Sequence, residues 1–100
     1  MPTEALTSVI GKLKEVEPAL RRQFGVSGLW VFGSYVRGEE KAGSDLDVLI
    51  EFDRPGMTLL KFVEIELRLC DQLGVKVDLV QRSALRPRLR SRILAEAVPV

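Results

Sequence analysis

The sequence predicts an α/β fold in the order helix, strand, short helix, strand, helix, strand, helix. In three segments apolar residues recur every three or four positions, which is the spacing of an amphipathic helix. Three other segments are short and apolar or alternate in polarity, which is typical of strands. With 100 residues, of which 46% are hydrophobic, the chain can build one core of modest size. We therefore expect a single domain over residues 1–100.

The first helix is indicated by an apolar row at helical spacing, formed by Leu6, Val9, Ile10, Leu13 and Val16. Pro18 has no backbone N–H and predicts the end of this helix, with a further turn through Arg22 ahead of Gly25. The apolar segment 29–32 predicts a short buried strand, and residues 34–38 predict a helical turn.

The remaining elements follow a polar loop. Residues 45–52 predict the second strand, since every second residue from position 46 is apolar. Residues 58–73 predict a helix that Gly74 closes in the left-handed conformation. Residues 75–80 predict the third strand, and a last helix is expected from Pro87 to about residue 97, because proline fits a first helical turn.

Two aspartates at the start of the second strand are candidate metal ligands. Asp45 and Asp47 lie two positions apart, so their side chains point to one face, with Cα atoms about 6.5–7 Å apart. Oxygen ligands, few of them from protein and the rest from phosphate and water, suit Mg²⁺. Two such ions, about 4 Å apart, can hold the attacking and leaving oxygens of a phosphoryl or nucleotidyl transfer.

The residues that follow the first strand are suited to holding phosphate groups. Gly33 lets the backbone approach a phosphate without a Cβ in the way. Ser34 offers a hydroxyl and a backbone N–H near the start of the predicted helical turn, a position that favours anions. Arg37 lies about one helical turn further along, so its guanidinium can face the same pocket.

A third carboxylate lies on the third strand. Asp78 takes the face opposite to the valines and leucine of that strand. If this strand lies beside the second one, Asp78 shares an open face with Asp45 and Asp47. It can then bind the cation nearer the nucleophile, or take the proton from an attacking hydroxyl.

Each of these features alone has an ordinary explanation, as a polar strand start, a turn or a solvated side chain. Their order along the chain, however, resembles the DNA polymerase β-like nucleotidyltransferase superfamily, and in particular its minimal nucleotidyltransferases. The superfamily pattern G-S-x-x-R-G, then S-D-x-D, then a later D is matched by Gly33, Ser34, Arg37, Gly38, Ser44, Asp45, Asp47 and Asp78. The resemblance runs from about residue 29 to residue 80.

The resemblance implies a small mixed β-sheet of about three strands with helices packed on one face, as in the polymerase β palm. It implies two Mg²⁺ ions held by three catalytic aspartates, Asp45, Asp47 and Asp78. It also implies that ATP is bound through Gly33, Ser34, Arg37 and Ser44.

The resemblance also implies a partner. Minimal nucleotidyltransferases are commonly paired with HEPN-domain proteins in prokaryotic toxin–antitoxin modules, where some transfer AMP to a hydroxyl of the toxin. The expected activity is therefore transfer of AMP from ATP to a hydroxyl of a HEPN partner. The alternative is a non-catalytic, nucleotide-binding antitoxin that neutralises its partner by contact. Three converging carboxylates favour the enzyme.

Composition excludes several other kinds of site. Histidine is absent, which excludes imidazole metal ligands and Ser-His-Asp or Cys-His catalysis, and the single Cys70 excludes an internal disulfide. A net charge of +1 gives no overall attraction to nucleic acid or membrane, so we expect neither as a partner, whereas homo-oligomerisation stays open. The polar start and the lack of a long apolar run predict a cytoplasmic protein without a signal peptide.

Two segments leave the question of a partner surface open. The predicted helix 58–73 is apolar on more than one side, which fits either burial against the sheet or an interface. Near the C-terminus, arginines alternate with apolar residues, which fits a solvated basic face, a surface for an acidic protein, or one for RNA or DNA. These arginines are Arg82, Arg86, Arg88, Arg90 and Arg92.

Overall fold

The computed structural model describes residues 3–100. Its helices are α1 (Glu4–Phe24), α2 (Ser34–Arg37), α3 (Leu59–Leu73) and α4 (Pro87–Glu96), with a 3₁₀ turn at Arg82–Ala84. Its strands are β1 (Val26–Phe32), β2 (Leu46–Phe52), β3 (Val77–Gln81) and β4 (Val98–Pro99). No helix within residues 3–100 has the length and apolar character needed to span a bilayer.

The strands form one mixed sheet in the order β3-β2-β1-β4. Strand β1 is antiparallel to both β2 and β4, whereas β2 and β3 run parallel. The mixed α/β sheet is confirmed, but it has four strands in place of the expected three. The fourth strand pairs Val98 with Val31 and Pro99 with Trp30. Two residues are too few for a periodic pattern, so no local signal in the sequence predicts this strand.

The core lies between one face of the sheet and the helices α1 and α3. Its most enclosed side chains include Leu13 and Leu20 of α1, Leu46, Val48 and Ile50 of β2, and Ile65 and Leu69 of α3. Burial of each such side chain contributes roughly 1.5–3 kcal/mol to folding. The alternation predicted for β2 is therefore confirmed, because its even-numbered positions 46, 48 and 50 are all buried.

The opposite face of the sheet is only partly open. Leu49 is fully buried there, in register with Trp30 on one side and Val80 on the other. The guanidinium of Arg82 lies 5.2 Å from the centre of the Trp30 ring and donates a hydrogen bond of 3.2 Å to Glu51. Arg82 is therefore a sheet-covering residue rather than part of the exposed basic row of α4, a correction to the interpretation that grouped it with the other arginines.

The prediction that Pro18 ends the first helix is wrong, since α1 continues to Phe24 with Pro18 inside it. Pro18 is exposed, and Leu13 and Leu20 anchor the helix in the core on either side of it. The hydrogen bond that proline removes is therefore lost on the side facing water, where the freed carbonyl can be solvated. Gly25, with φ 73°, ends the helix instead.

Gly74, with φ 70°, closes helix α3 as predicted. Thr58 precedes the helix as its N-cap rather than being its first residue, and its hydroxyl accepts a hydrogen bond from the N–H of Lys61. Only one side of it is buried, through Ile65, Leu69 and Leu73. A second apolar row stays exposed and consists of Leu59, Leu60, Val63 and Leu67, with Leu60 84% exposed. Of the two interpretations of this helix, complete burial against the sheet is therefore wrong.

Candidate acidic site at the sheet edge

Two of the three predicted aspartates are paired across neighbouring strands. The third strand lies beside the second, which is the condition on which a shared face was expected, and Asp47 of β2 is in register with Asp78 of β3. Neighbouring strands lie about 4.8 Å apart, and residues in register point to the same face, so both carboxylates project from one place on the sheet. Asp45 immediately precedes β2, whose first residue Leu46 donates a 2.8 Å hydrogen bond to the carbonyl of Lys76.

The acidic groups influence one another electrostatically. Burial raises the pKa of Asp47 above the ordinary value of an aspartate, and the charges of Asp78 and Asp45 raise it further. The charge of Arg37 opposes this rise, and that of Glu96 adds to it. The folded protein thus holds several negative charges close together, an arrangement that a cation would relieve.

The loop after β1 touches this carboxylate cluster directly. Gly33 has φ 81° and is buried, and Phe32 before it is in register with Asp47. A Cβ at position 33 would overlap Oδ2 of Asp47 and lie 3.0 Å from its Cγ. Only glycine therefore fits at this position, because both its conformation and the space in front of Asp47 exclude a side chain. The two halves of the sequence pattern meet at this contact.

Arg37 is held at the end of α2 by two glutamates. Its guanidinium pairs with Glu39 at 2.9 Å and with Glu96 of α4 at 3.0 Å. The hydrogen bond to Glu39 raises the pKa of Arg37 most, with partial opposition from desolvation, and the charge of Glu96 raises it too. The side chain is 48% exposed, so it can still reach a ligand placed beside Gly33.

Glu96 was not among the residues that the sequence pattern singled out. Its Oε1 accepts a hydrogen bond of 2.6 Å from the N–H of Gly33, in addition to its contact with Arg37. The two residues are 63 positions apart, and Glu96 ends a helix whose local pattern is simply basic and amphipathic. No local signal in the sequence could have found this contact.

The remaining predicted residues, Ser34, Gly38 and Ser44, lie in α2 or in the turns beside the strands. Ser34 is the first residue of α2 and is half-buried beside Gly33. Gly38 ends α2 in the left-handed conformation, with φ 72°. The hydroxyl of Ser44 accepts a 2.8 Å hydrogen bond from the N–H of Lys41 and so holds the turn before Asp45. In this structure Ser44 serves the turn, and a role in nucleotide binding stays a prediction.

The carboxylates fit a divalent cation that brings other ligands with it. None of Asp45, Asp47 and Asp78 forms an ion pair with a residue in the described range 3–100. Across that same range, no group of three or more acidic or thiol side chains is close enough to hold an ion unaided. Mg²⁺ commonly takes one or two protein carboxylates and completes its shell with phosphate and water. The paired Asp47 and Asp78, with Asp45 beside them, suit this mode of binding.

Comparison with known sequences gives a consistent family. Residues 13–100 match the model of the nucleotidyltransferase domain family. The chain is 48% identical over 81 residues to protein adenylyltransferase MntA of Thermococcus cleftensis, which covers 81% of each of the two chains.

Comparison with solved structures agrees. A minimal nucleotidyltransferase superimposes with a TM-score of 0.81 at 40% identity, over 95% of each chain. A chain of the complex between a tri-AMPylated HEPN toxin of Shewanella oneidensis and an MNT antitoxin superimposes with a TM-score of 0.61. At 17% identity, over 99% of this chain and 71% of the other, that likeness shows a shared fold.

Proposed function

We propose that this chain, which belongs to the nucleotidyltransferase domain family, transfers AMP from ATP to a hydroxyl of a partner protein in a Mg²⁺-dependent reaction. The observation that carries the proposal is the pairing of Asp47 with Asp78, together with the direct contact of Asp47 with Gly33. A carboxylate pair and a side-chain-free backbone at one point can serve a cation and a triphosphate together.

The triphosphate is assigned to the loop after β1. The N–H of Gly33 and the guanidinium of Arg37 already converge on one carboxylate, that of Glu96, in this structure. Charge-assisted hydrogen bonds from such donors suit phosphate oxygens equally well. Ser34, the first residue of α2, has a hydroxyl and an N–H that are further donors proposed for the triphosphate.

Asp45, Asp47 and Asp78 are the proposed metal ligands. Bound Mg²⁺ supplies charge neutralisation for the triphosphate and orientation for the attacking and leaving oxygens. The protein's own contribution is to fix the carboxylates on two hydrogen-bonded strands, so that little motion is needed when substrate arrives.

The reaction follows from this placement. The oxygen of the partner's hydroxyl forms a bond to the α-phosphorus of ATP, while the bond from that phosphorus to the pyrophosphate oxygen breaks. The hydroxyl proton passes to a carboxylate, and Asp78 is exposed on the side of the sheet from which an acceptor can approach. The products are pyrophosphate and a partner that carries AMP on an ester oxygen.

The nature of the partner is supported by the relatives. One relative is named a protein adenylyltransferase, and a fold neighbour is found in a complex with an AMPylated HEPN toxin. We therefore propose a HEPN-domain protein as the acceptor and an antitoxin role for this chain.

A second candidate function is favoured by the surface of α3. Its exposed apolar row, from Leu59 to Leu67, is the kind of surface that binds a protein partner. A contact antitoxin would neutralise its partner through such a surface, with the nucleotide site idle. The two candidates differ in whether the partner becomes covalently modified.

The test is co-expression with a HEPN-domain protein, chosen from the neighbouring genes of the source genome, followed by intact-mass analysis of the partner. Transfer predicts an added adenylyl group with wild type and none with Asp78→Asn, although both bind the partner in a pull-down. If wild type and Asp78→Asn neutralise the partner equally and the partner gains no mass, the enzyme proposal is wrong and the contact antitoxin is favoured.

A further inference from the structure

A short hydrogen bond to a carboxylate holds the segment Gly33–Arg37, which is called the phosphate loop because of its proposed role. Glu96 accepts from the N–H of Gly33 at 2.6 Å and from Nη1 of Arg37 at 3.0 Å through the same oxygen, Oε1. Its second oxygen, Oε2, accepts from Arg37 at 3.3 Å. One backbone donor and one guanidinium thus hold a carboxylate as they would hold a phosphate group.

The position of Glu96 is set by its backbone rather than by this contact alone. Helix α4 lies against the end of β1, where Phe32, Leu89 and Ile93 line a pocket of about 240 Å³ next to Gly33. After Glu96, β4 pairs with β1, and the N–H of Val100 donates a 3.0 Å hydrogen bond to the carbonyl of Leu29. Strand β4 thus holds the backbone just after Glu96, so the side chain of Glu96 can leave the Gly33–Arg37 segment by rotation of its own torsions.

The N–H of Gly33 cannot serve Glu96 and a triphosphate at once. The N–H of Gly33 has one hydrogen to give, and a phosphate beside Glu96 would meet a carboxylate at hydrogen-bond distance from the same group. Glu96 also lies close enough to add its negative charge to that felt by Asp47. Removal of this carboxylate relieves both the competition and the repulsion.

We propose that Glu96 is a resident anion that fills the phosphate position of the Gly33–Arg37 loop, so that a triphosphate must displace it to bind. The inference rests on the proposed function of this loop. Glu96 thereby keeps the loop in its binding conformation when nucleotide is absent, and it lowers the affinity for nucleotide. It is a positioning residue with an autoinhibitory contact, and α4 links the phosphate loop to the C-terminal strand.

The test is isothermal titration of magnesium tripolyphosphate, a probe without base or sugar, and of MgATP. We expect Glu96→Ala to bind both about tenfold more tightly than wild type, the size of one charge-assisted hydrogen bond. Glu96→Gln keeps an acceptor for Gly33 but loses the charge, so its affinity should fall between the two. If thermal unfolding shows that Glu96→Ala is not folded, Glu96→Gln decides the question.

Glu39→Ala is the matched control. Glu39 also pairs with Arg37 but does not touch Gly33, and an exposed ion pair is worth little. We expect its affinity for tripolyphosphate to stay within about twofold of wild type. An equal gain in Glu39→Ala and Glu96→Ala would show that Arg37 charge alone is responsible and would overturn the inference.

The remaining outcomes separate this inference from the proposed function. If wild type binds tripolyphosphate and Glu96→Ala binds it equally or more weakly, Glu96 is a structural support and the inference fails, whereas the phosphate loop stands. If neither wild type nor any variant binds tripolyphosphate or ATP, the proposed function of the loop fails, and the inference fails with it.

Discussion

The two faces of strand β2 carry side chains with opposite requirements. On the face toward α1 and α3, Leu46, Val48 and Ile50 are fully buried. On the other face, one residue away, Asp47 is half-buried beside Asp78, and its pKa is raised by that burial and by neighbouring carboxylates. The first face stabilises the fold, whereas the end of the second face at Asp47 opposes it by holding negative charges together. A site that binds cations is expected to destabilise the fold in this way, because the positive charge that neutralises the carboxylates comes from the bound cation and not from the protein.

The largest expected effect is on transfer, and it comes from the acidic face. Asp47→Asn and Asp78→Asn should each lower AMP transfer to the partner by about 10²-fold or more, the usual worth of a group that positions or removes a proton. Both variants should fold as wild type does. The rates of adenylyl incorporation at saturating ATP, measured by intact mass, test this expectation. Near-wild-type transfer by Asp78→Asn would show that Asp78 has no part in the reaction.

The buried face should respond in the opposite way. Ile50→Ala should lower the free energy of unfolding by about 2–5 kcal/mol, because it removes packed methyl groups and leaves a cavity. The affinity of the folded fraction for ATP should be unchanged. Urea unfolding and ATP titration on the same sample measure the two quantities. A large loss of affinity together with a small loss of stability would show that the two faces are not separate in function.

Variants in the phosphate loop should have an effect of intermediate size on ATP affinity. Ser34→Ala should weaken ATP binding by roughly 1.5–3 kcal/mol, the value of a hydrogen bond to a charged group. Gly33→Ala should weaken it more and should also destabilise the fold, since a Cβ would overlap Asp47 at a φ of 81°. Calorimetric titration and thermal unfolding of both variants test this order, and unchanged binding in both would exclude the loop as the phosphate site.

The smallest expected effect is a pH-dependent gain in stability. Because the pKa of Asp47 is raised in the folded protein, the folded state binds this proton more tightly than the unfolded state does. The resulting stabilisation is complete below the ordinary aspartate pKa and is lost as pH rises through the raised pKa. Without Mg²⁺, Asp47→Asn should therefore unfold at a higher temperature than wild type at neutral pH.

The same pair of proteins provides the control for the pH effect. The difference in unfolding temperature between Asp47→Asn and wild type should shrink as pH falls toward the ordinary pKa of aspartate, where wild type also becomes neutral at this position. A difference that is constant with pH would indicate that ionisation of Asp47 does not oppose folding.

The parts of the fold and of the site that depend on local sequence could be predicted, and those that depend on distant contacts could not. The alternation in β2 and the place of Asp78 on a strand could be predicted because they depend on neighbours along the chain, whereas the register of Asp47 with Asp78 depends on how β3 pairs with β2. Strand β4 and the contact of Glu96 with Gly33 could not be predicted, because each depends on a partner more than 60 residues away and neither has a periodic pattern of its own. The prediction from Pro18 was wrong because burial of Leu13 and Leu20 on either side keeps the helix intact despite the missing N–H of the proline.

The central claim is that the acidic face binds nucleotide through a divalent cation, and titration of ATP with and without Mg²⁺ tests it most directly. Wild type and the double variant Asp45→Asn/Asp47→Asn are compared by calorimetry, after thermal unfolding has shown that both are folded. We expect Mg²⁺ to strengthen ATP binding to wild type and to have no such effect on the double variant. Equal affinity in all four titrations would contradict the metal assignment and, with it, the proposed transfer of AMP.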